Sequence, residues 1–160
     1  MTDVPFDESA AHRHYAAGCF NKTWDLLDRS SRSAEEDRQM LLLAMTSIWH
    51  WTQRPDCTPM TLSVGHWLIS RVYATLGNPS EAERFGQYAL DAIRPVKNDP
   101  FTLGYAYEAL ARAMTVGGDA ARATEYLVKA KTLCEAVTDE EARRMLASDL
   151  ENLAVDSCGA

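Results

Sequence analysis

The sequence has no long apolar run. Its longest such stretch, Met40–Met45, is far shorter than the roughly 18 residues that suggest a membrane-spanning helix. The N-terminus carries Asp3, Asp7 and Glu8 where a secretory signal is basic, and no apolar segment follows them. We therefore expect a cytoplasmic protein with no membrane partner.

Positive charge is also scarce. Lys and Arg total 16 against 23 Asp and Glu, which gives a formal net charge of −7. A surface of that sign repels phosphate backbones, so we expect no nucleic-acid partner. The chain has 160 residues, of which 46% are hydrophobic and 24% charged, as in a globular domain. We assign residues 1–160 to a single domain, with residues 1–6 as a disordered tail.

The four cysteines are widely spaced and form no CxxC pair. Without an export signal, such cysteines are expected to be free thiols. We therefore predict that Cys19, Cys57, Cys134 and Cys158 are all reduced. Cys57 and Cys158 should react fastest with a thiol reagent, because they lie in a predicted loop and near the terminus.

Catalytic signatures are absent from the sequence. It contains no GxSxG, no Gly-rich phosphate loop followed by Lys-Ser/Thr, no HExxH and no EF-hand loop. His12 and His14 could not chelate one ion together, because two-residue spacing on a helix turns the rings about 200° apart. His50 and His66 lie on different predicted elements, so a site built from them stays open. We assign no catalytic residue, no metal ligand and no cofactor.

Helix start signals divide the chain. Ser33 with Glu36 and Thr138 with Glu141 have capping-box spacing, and proline follows a capping residue at Thr58, Asn78 and Asp99. The apolar pattern has a helical period throughout and never alternates as in a strand. We predict seven helices with turns near 29–33, 53–58, 77–78, 95–99, 117–118 and 137–138. In the first helix, the pattern places Ala10, His14, Ala17, Trp24 and Leu27 on the inner face.

The segments 62–93 and 103–134 repeat each other at a spacing of 41 residues. Aligned pairs have similar residues and include two glycines that end the first helix of each copy; they are Ile69/Leu110, Ser70/Ala111, Tyr73/Met114, Gly77/Gly118, Ala82/Ala123, Ala89/Ala130 and Ile93/Cys134. Small residues at recurring points allow two helices to approach closely. This pattern resembles the tetratricopeptide repeat, although the spacing is longer than the usual value of about 34 residues. Gly86 also stands where that family usually has an aromatic residue.

The resemblance implies a fold and a binding surface. The fold is an all-α, right-handed stack of three helical hairpins plus a C-terminal capping helix, with the first hairpin divergent. Proteins of this kind line a concave groove with side chains of their first helices. Adding 41 to Trp67 and Arg71 gives Glu108 and Arg112, so we predict that these four residues form a ligand-binding site on one surface.

This predicted site suits an anion, because two guanidinium groups and an indole would converge with Glu108 orienting one arginine. His14 and Trp24 are assigned as an extension of the groove. The competing interpretation is an ordinary surface pair of Glu108 with Arg112 and a solvated Arg71. On either view, we expect replacement of one arginine by Ala to leave the fold almost intact.

The predicted function is recognition of a peptide or protein segment, or of a small anionic ligand, in this groove. Binding is preferred to catalysis, and this preference depends on analogy at the level of the fold. One alternative is a small enzyme or metal-dependent protein that uses His14, His50 or His66 with Glu108. A second alternative is a self-associating module that forms a homodimer.

Overall fold

Short polar side chains cap the starts of the helices. Ser33 Oγ accepts a hydrogen bond of 3.2 Å from the Glu36 amide, and Glu36 Oε2 accepts one of 2.7 Å from the Ser33 amide, which confirms that capping box. Asn78 and Asp99 each accept from the amide three residues later, at 3.2 and 2.9 Å. Each is followed by proline at the first helical position, where a missing N–H is harmless.

The computed structural model describes the backbone of residues 6–156 and the side chains of residues 6–153. Within this range every regular element is an α-helix, which confirms the all-α class. The helices are α1 (Glu8–Leu27), α2 (Ala34–Thr52), α3 (Pro59–Thr75), α4 (Pro79–Ile93), α5 (Pro100–Gly117), α6 (Ala120–Ala136) and α7 (Glu140–Asp156). Most of the tail predicted at residues 1–6 lies outside the described part.

The helices group into two units, residues 1–58 and 59–160. The first unit contains the antiparallel hairpin of α1 and α2, and the second contains a series in which each helix packs on its neighbour. In the second unit, α5 also packs against α3 and α7, so the odd-numbered helices lie side by side. The expectation of a single domain stays a prediction.

The inner face of α1 differs from the one that its apolar pattern predicted. Ala10, His14 and Ala17 are exposed, and Trp24 and Leu27 are half-buried. The buried residues are Ala16, Cys19, Thr23 and Leu26. The prediction was wrong by one residue, or about 100° of rotation. The prediction was based on the apolar residues alone and left out Thr23. The Thr23 hydroxyl donates a 2.8 Å hydrogen bond to the Cys19 carbonyl, and this bond allows the polar side chain to be buried.

Two equivalent turns join the helices of the repeated segments. Gly77 and Gly118 have φ of 72° and 76°, a left-handed conformation that glycine adopts without steric strain. In both turns the next residue donates its amide to the carbonyl five positions earlier, at 2.9 Å in each case. That residue, Asn78 or Asp119, then caps the following helix. Matching geometry 41 residues apart confirms the predicted turns.

Small residues allow close helix crossings in the second unit. Ala82, Ala89 and Ala130 have no exposed surface, and Ser70 Oγ donates a 2.7 Å hydrogen bond to the Ala82 carbonyl across the α3–α4 crossing. At Gly104, a Cβ atom would lie 2.7 Å from Leu146 Cδ2. A side chain at this position would therefore require the Leu146 side chain to shift.

The start of α7 also differs from the prediction. Asp139, not Thr138, accepts the capping hydrogen bond, from the Ala142 amide at 2.8 Å. The predicted capping box of Thr138 with Glu141 was therefore wrong by one residue. A carboxylate is at least as good a cap as a hydroxyl, and it also interacts favourably with the positive end of the helix dipole.

Candidate functional site

The centre of the candidate site is a carboxylate with no exposed surface, that of Glu108 on α5. Its Oε2 accepts a 2.7 Å hydrogen bond from the Trp67 indole nitrogen. Its Oε1 accepts two from Arg112, at 2.8 Å from Nε and 2.6 Å from Nη2. A carboxylate buried in protein is tolerated only when it is paired and hydrogen-bonded, and Glu108 has both kinds of partner.

The repeat register explains why these residues meet. Trp67 and Glu108 are 41 residues apart, at equivalent positions of α3 and α5, and these helices pack side by side. Their side chains therefore face each other across the helix interface. Arg112 lies one turn beyond Glu108 on the same helix, so its guanidinium can reach back to the carboxylate.

Arg71 extends the cluster to α7. Its Nη1 lies 3.8 Å from Glu108 Oε1, and its Nη2 lies 3.7 Å from Asp149 Oδ1. Its guanidinium carbon is 5.7 Å from the centre of a Trp67 ring, within the range of a cation–π contact. Asp149 Oδ2 accepts a 2.9 Å hydrogen bond from the Tyr105 hydroxyl. We call these six residues of α3, α5 and α7 the Glu108 cluster: Trp67, Arg71, Tyr105, Glu108, Arg112 and Asp149.

Sequence reasoning missed two members of the cluster. The 41-residue register could have identified Asp149, because adding 41 to Glu108 gives Asp149 and continues the register into α7. The register does not identify Tyr105, because its equivalent position in α3 is the apolar Val64. Burial, and then the charge of Asp149, raise the pKa of the Tyr105 phenol, so Tyr105 acts here as a hydrogen-bond donor.

Exposure divides the cluster into a floor and a rim. Trp67, Tyr105 and Glu108 are buried, whereas the side chains of Arg71, Arg112 and Asp149 are 20%, 18% and 25% exposed. The structure thus brings the four predicted residues together, but as a partly internal network rather than as a surface patch. Because Glu108 is fully buried, the competing interpretation of an ordinary surface pair does not describe its bond to Arg112.

His14 and Trp24, the predicted extensions of the groove, lie on α1 in the first unit. His14 is exposed and its ring meets that of Tyr15 at 5.2 Å between centroids, and Trp24 is half-buried. Their assignment to a ligand site stays a prediction.

The described residues include no group of three or more His, Cys, Asp or Glu side chains that could hold a metal ion. His66 packs against Phe85 and Tyr88, and burial lowers its pKa. His12 and His50 face each other across the first hairpin, with their Nδ1 atoms 2.9 Å apart. The two imidazoles share a hydrogen bond there.

The three described cysteines are free, as predicted. Burial raises the pKa of the Cys19, Cys57 and Cys134 thiols, which keeps them protonated and weakly nucleophilic at neutral pH. The fourth predicted thiol, Cys158, lies outside the described residues. None of the described helices combines the length and the apolar character needed to cross a bilayer.

Comparison of the chain with protein-family models, with curated proteins and with solved structures gave no significant match.

Proposed function

We propose that this chain is a tetratricopeptide-like binding protein, and that the face of α3, α5 and α7 over the Glu108 cluster recognises a peptide segment through a carboxylate. The observation that carries the proposal is the placement of Arg71 and Arg112. They stand at equivalent positions, flank one buried carboxylate, and each keeps about a fifth of its side chain exposed.

The buried residues of the cluster would hold a rim arginine in position for binding. Glu108 accepts one hydrogen bond from Nε and one from Nη2 of Arg112, which fixes the guanidinium and leaves Nη1 and the second hydrogen of Nη2 for a ligand. An arginine held in this way loses little side-chain entropy when it binds, and a guanidinium can bind a carboxylate through two parallel hydrogen bonds. A guanidinium fixed in this way recognises a planar anion by directional hydrogen bonds and not only by its charge.

Arg71 would supply the second guanidinium of the site. It lies 3.8 Å from Glu108 and 3.7 Å from Asp149, within the range of ion pairs. An incoming carboxylate could move toward its guanidinium while Asp149 keeps its hydrogen bond from Tyr105. The ligand would then lie between the two arginines.

Charge limits the class of partner. The two arginines are balanced by Glu108 and Asp149, and the whole chain has a formal charge of −7. A strongly acidic segment would therefore be repelled. We propose a segment with one carboxylate among apolar or basic neighbours. We also propose a cytoplasmic location, because three described thiols are unbridged.

The test is selection of short peptides on the purified protein, followed by fluorescence anisotropy with the peptides that bind. Arg112→Lys keeps the positive charge but loses the planar fork, and Arg71→Gln removes a charge from the rim. Each should weaken binding by at least about tenfold, the loss expected when a charged hydrogen bond worth about 1.5–3 kcal/mol is removed. Arg84→Gln, at a 55% exposed side chain on α4, is the matched control.

The chemistry of the peptide provides a second test. Changing its single carboxylate to the amide should abolish binding to the wild-type protein. The proposal is wrong if the amide peptide binds as well as the acid, or if Arg71→Gln and Arg112→Lys both bind like Arg84→Gln.

A further inference from the structure

Two histidines meet in the first unit, where α1 and α2 cross. Ser47 Oγ donates a 2.7 Å hydrogen bond to the Ala16 carbonyl, and both residues are buried. His12 and His50 lie one turn further along their antiparallel helices, so the same crossing brings them together. Their Nδ1 atoms share a hydrogen bond of 2.9 Å, in which one neutral ring donates and the other accepts, and their ring centroids are 5.0 Å apart.

That separation can be compared with the geometry of metal ions. With metal–nitrogen bonds of about 2.0 Å, two neighbouring ligand nitrogens are about 2.8 Å apart at a right angle and about 3.3 Å apart in a tetrahedron. The hydrogen bond of the metal-free pair sets its 2.9 Å separation, and this lies close to the distance of about 2.8 Å that a square-planar or tetragonal ion requires. Copper(II) and nickel(II) prefer this geometry with nitrogen and oxygen ligands, and copper(II) binds more tightly in the divalent series.

The surroundings of the pair also suit a ligand role. Glu8 Oε1 lies 3.8 Å from Nε2 of His12, on the side of the ring away from His50. A metal-binding histidine usually has a carboxylate or carbonyl partner on its second nitrogen, which holds the proton there and turns the other lone pair to the metal.

Aromatic rings enclose the pair. Trp49 lies 5.5 Å from His12 and 4.8 Å from His50, and Tyr15 lies 5.3 Å from His50, between ring centroids. The charged residues near this end of the hairpin include Glu8, which faces His12, and Arg13, which interacts with Asp56. Among the described residues, no cation other than the histidines themselves is recorded against the two rings.

We propose that His12 and His50 are the two protein ligands of a copper(II) site, with water completing the coordination. Both rings bind through Nδ1 and carry their proton on Nε2, where that of His12 faces Glu8. No proton is gained or lost when the neutral pair binds, because one ring only changes tautomer. This site belongs to the first unit and is independent of the peptide-binding proposal.

The experiment is titration of the full-length, metal-free protein with copper(II), followed by calorimetry and electron paramagnetic resonance. We expect one ion per chain and a tetragonal spectrum with hyperfine splitting from two imidazole nitrogens. Binding should also quench the fluorescence of Trp49, and Trp49→Phe should remove that part of the quenching. Zinc(II) should bind more weakly, because a tetrahedral ion requires the two nitrogens to separate.

Variants identify the ligands. His12→Gln and His50→Gln should each lower the copper affinity by at least about tenfold, since even the loss of an outer-shell partner typically costs 10–100-fold. His14→Gln is the matched control, because His14 is exposed on the same helix, and it should bind like the wild type. Helical circular dichroism shows whether each variant is folded.

Two results would overturn the proposal. One is equal copper binding by the wild type and by a folded double variant, His12→Gln with His50→Gln. The other is a wild-type spectrum with one coordinated imidazole nitrogen or none, which decides the matter even if the variants do not fold.

Discussion

At the scale of single residues, the two arginines of the Glu108 cluster differ in how closely they contact Glu108. Arg112 gives this fully buried carboxylate two short hydrogen bonds, whereas Arg71 approaches it to 3.8 Å. Removal of Arg112 would leave a buried charge without its main partner. The structure therefore changes the sequence-based expectation that either arginine can be replaced without harm to the fold.

We predict that Arg112→Ala lowers the free energy of unfolding by about 3–5 kcal/mol, the usual cost of breaking a buried ion pair from one side. Arg71→Ala should cost less, and Arg84→Ala on the exposed face of α4 should stay within about 0.5 kcal/mol. Urea unfolding of the three variants measures the order. Equal values for Arg112→Ala and Arg84→Ala would show that Glu108 is not held by Arg112.

Histidine burial should be visible in the pH dependence of stability. Burial lowers the pKa of His66 and His50 below the 6.5 of a free imidazole. The unfolded chain therefore takes up protons first as pH falls. The stability from these groups is fully present above pH 6.5 and is lost as pH drops through the folded pKa values.

We predict that His66→Phe flattens the fall in unfolding free energy below pH 6.5, because it removes one of the two groups. Its neighbour offers a control: Tyr88→Phe does not titrate in acid and should keep the wild-type slope. Unfolding free energies measured in urea across the acid range give both profiles. Identical slopes for His66→Phe and the wild type would contradict the assignment.

At the scale of the secondary-structure elements, the effect of replacing a glycine by alanine depends on whether the glycine ends a helix or lies inside one. Gly77 and Gly118 have positive φ at the ends of α3 and α5, where a side chain is strained. Gly18 lies inside α1, and a Cβ there would meet nothing within 4 Å. The same substitution should therefore have opposite effects.

We predict that Gly77→Ala and Gly118→Ala each lower the free energy of unfolding by about 1–2 kcal/mol, the cost of a left-handed conformation for an L-residue. Gly18→Ala should raise it by about 0.5–1 kcal/mol, because alanine is the better helix former. Thermal and urea unfolding of the three variants provide the comparison. A destabilising Gly18→Ala would contradict the open environment of that position.

The α3–α4 crossing should be equally sensitive to volume. Ala82 has no exposed surface, and its carbonyl accepts the Ser70 hydrogen bond. We predict that Ala82→Leu costs about 1–3 kcal/mol through overpacking. Ala121→Leu, at an exposed position on α6, is the control and should be nearly neutral. An unchanged melting midpoint in Ala82→Leu would mean that the helices are not in close contact there.

At the scale of the whole molecule, the second unit contains five helices with a shared core around α5. A single hairpin of 58 residues buries far less apolar surface. We predict that a fragment of residues 58–160, which keeps the Thr58 that precedes α3, unfolds cooperatively with native helical content. Residues 1–58 alone should be mostly unfolded. Circular dichroism melts of both fragments test this, and a non-cooperative melt of the larger one would contradict it.

Local chemistry explains how much of this fold could be predicted. Capping residues, prolines and the two left-handed glycines act within a few residues, so the helix boundaries followed from the sequence. The face of α1 did not, because Thr23 is buried through a hydrogen bond that apolar periodicity ignores. The His12–His50 pair depends on how two helices cross, which no spacing within one helix reveals.

The candidate site was predictable to the extent that it follows the 41-residue register. Trp67, Arg71, Glu108 and Arg112 could be named because each pair occupies equivalent positions. That Glu108 is buried while both arginines reach the rim could not be predicted. Burial depends on how α3, α5 and α7 pack together, and α7 was interpreted as a cap outside the register.

The three positions that the register aligns hold Trp67, Glu108 and Asp149, three different residues. Identical residues at the three aligned positions would place three indoles, or three carboxylates that repel each other, side by side. The cluster forms because the aligned positions hold complementary residues. The order of the three helices along the chain is therefore not interchangeable, and a shuffled or consensus-averaged version of these helices would lose the contact that joins them.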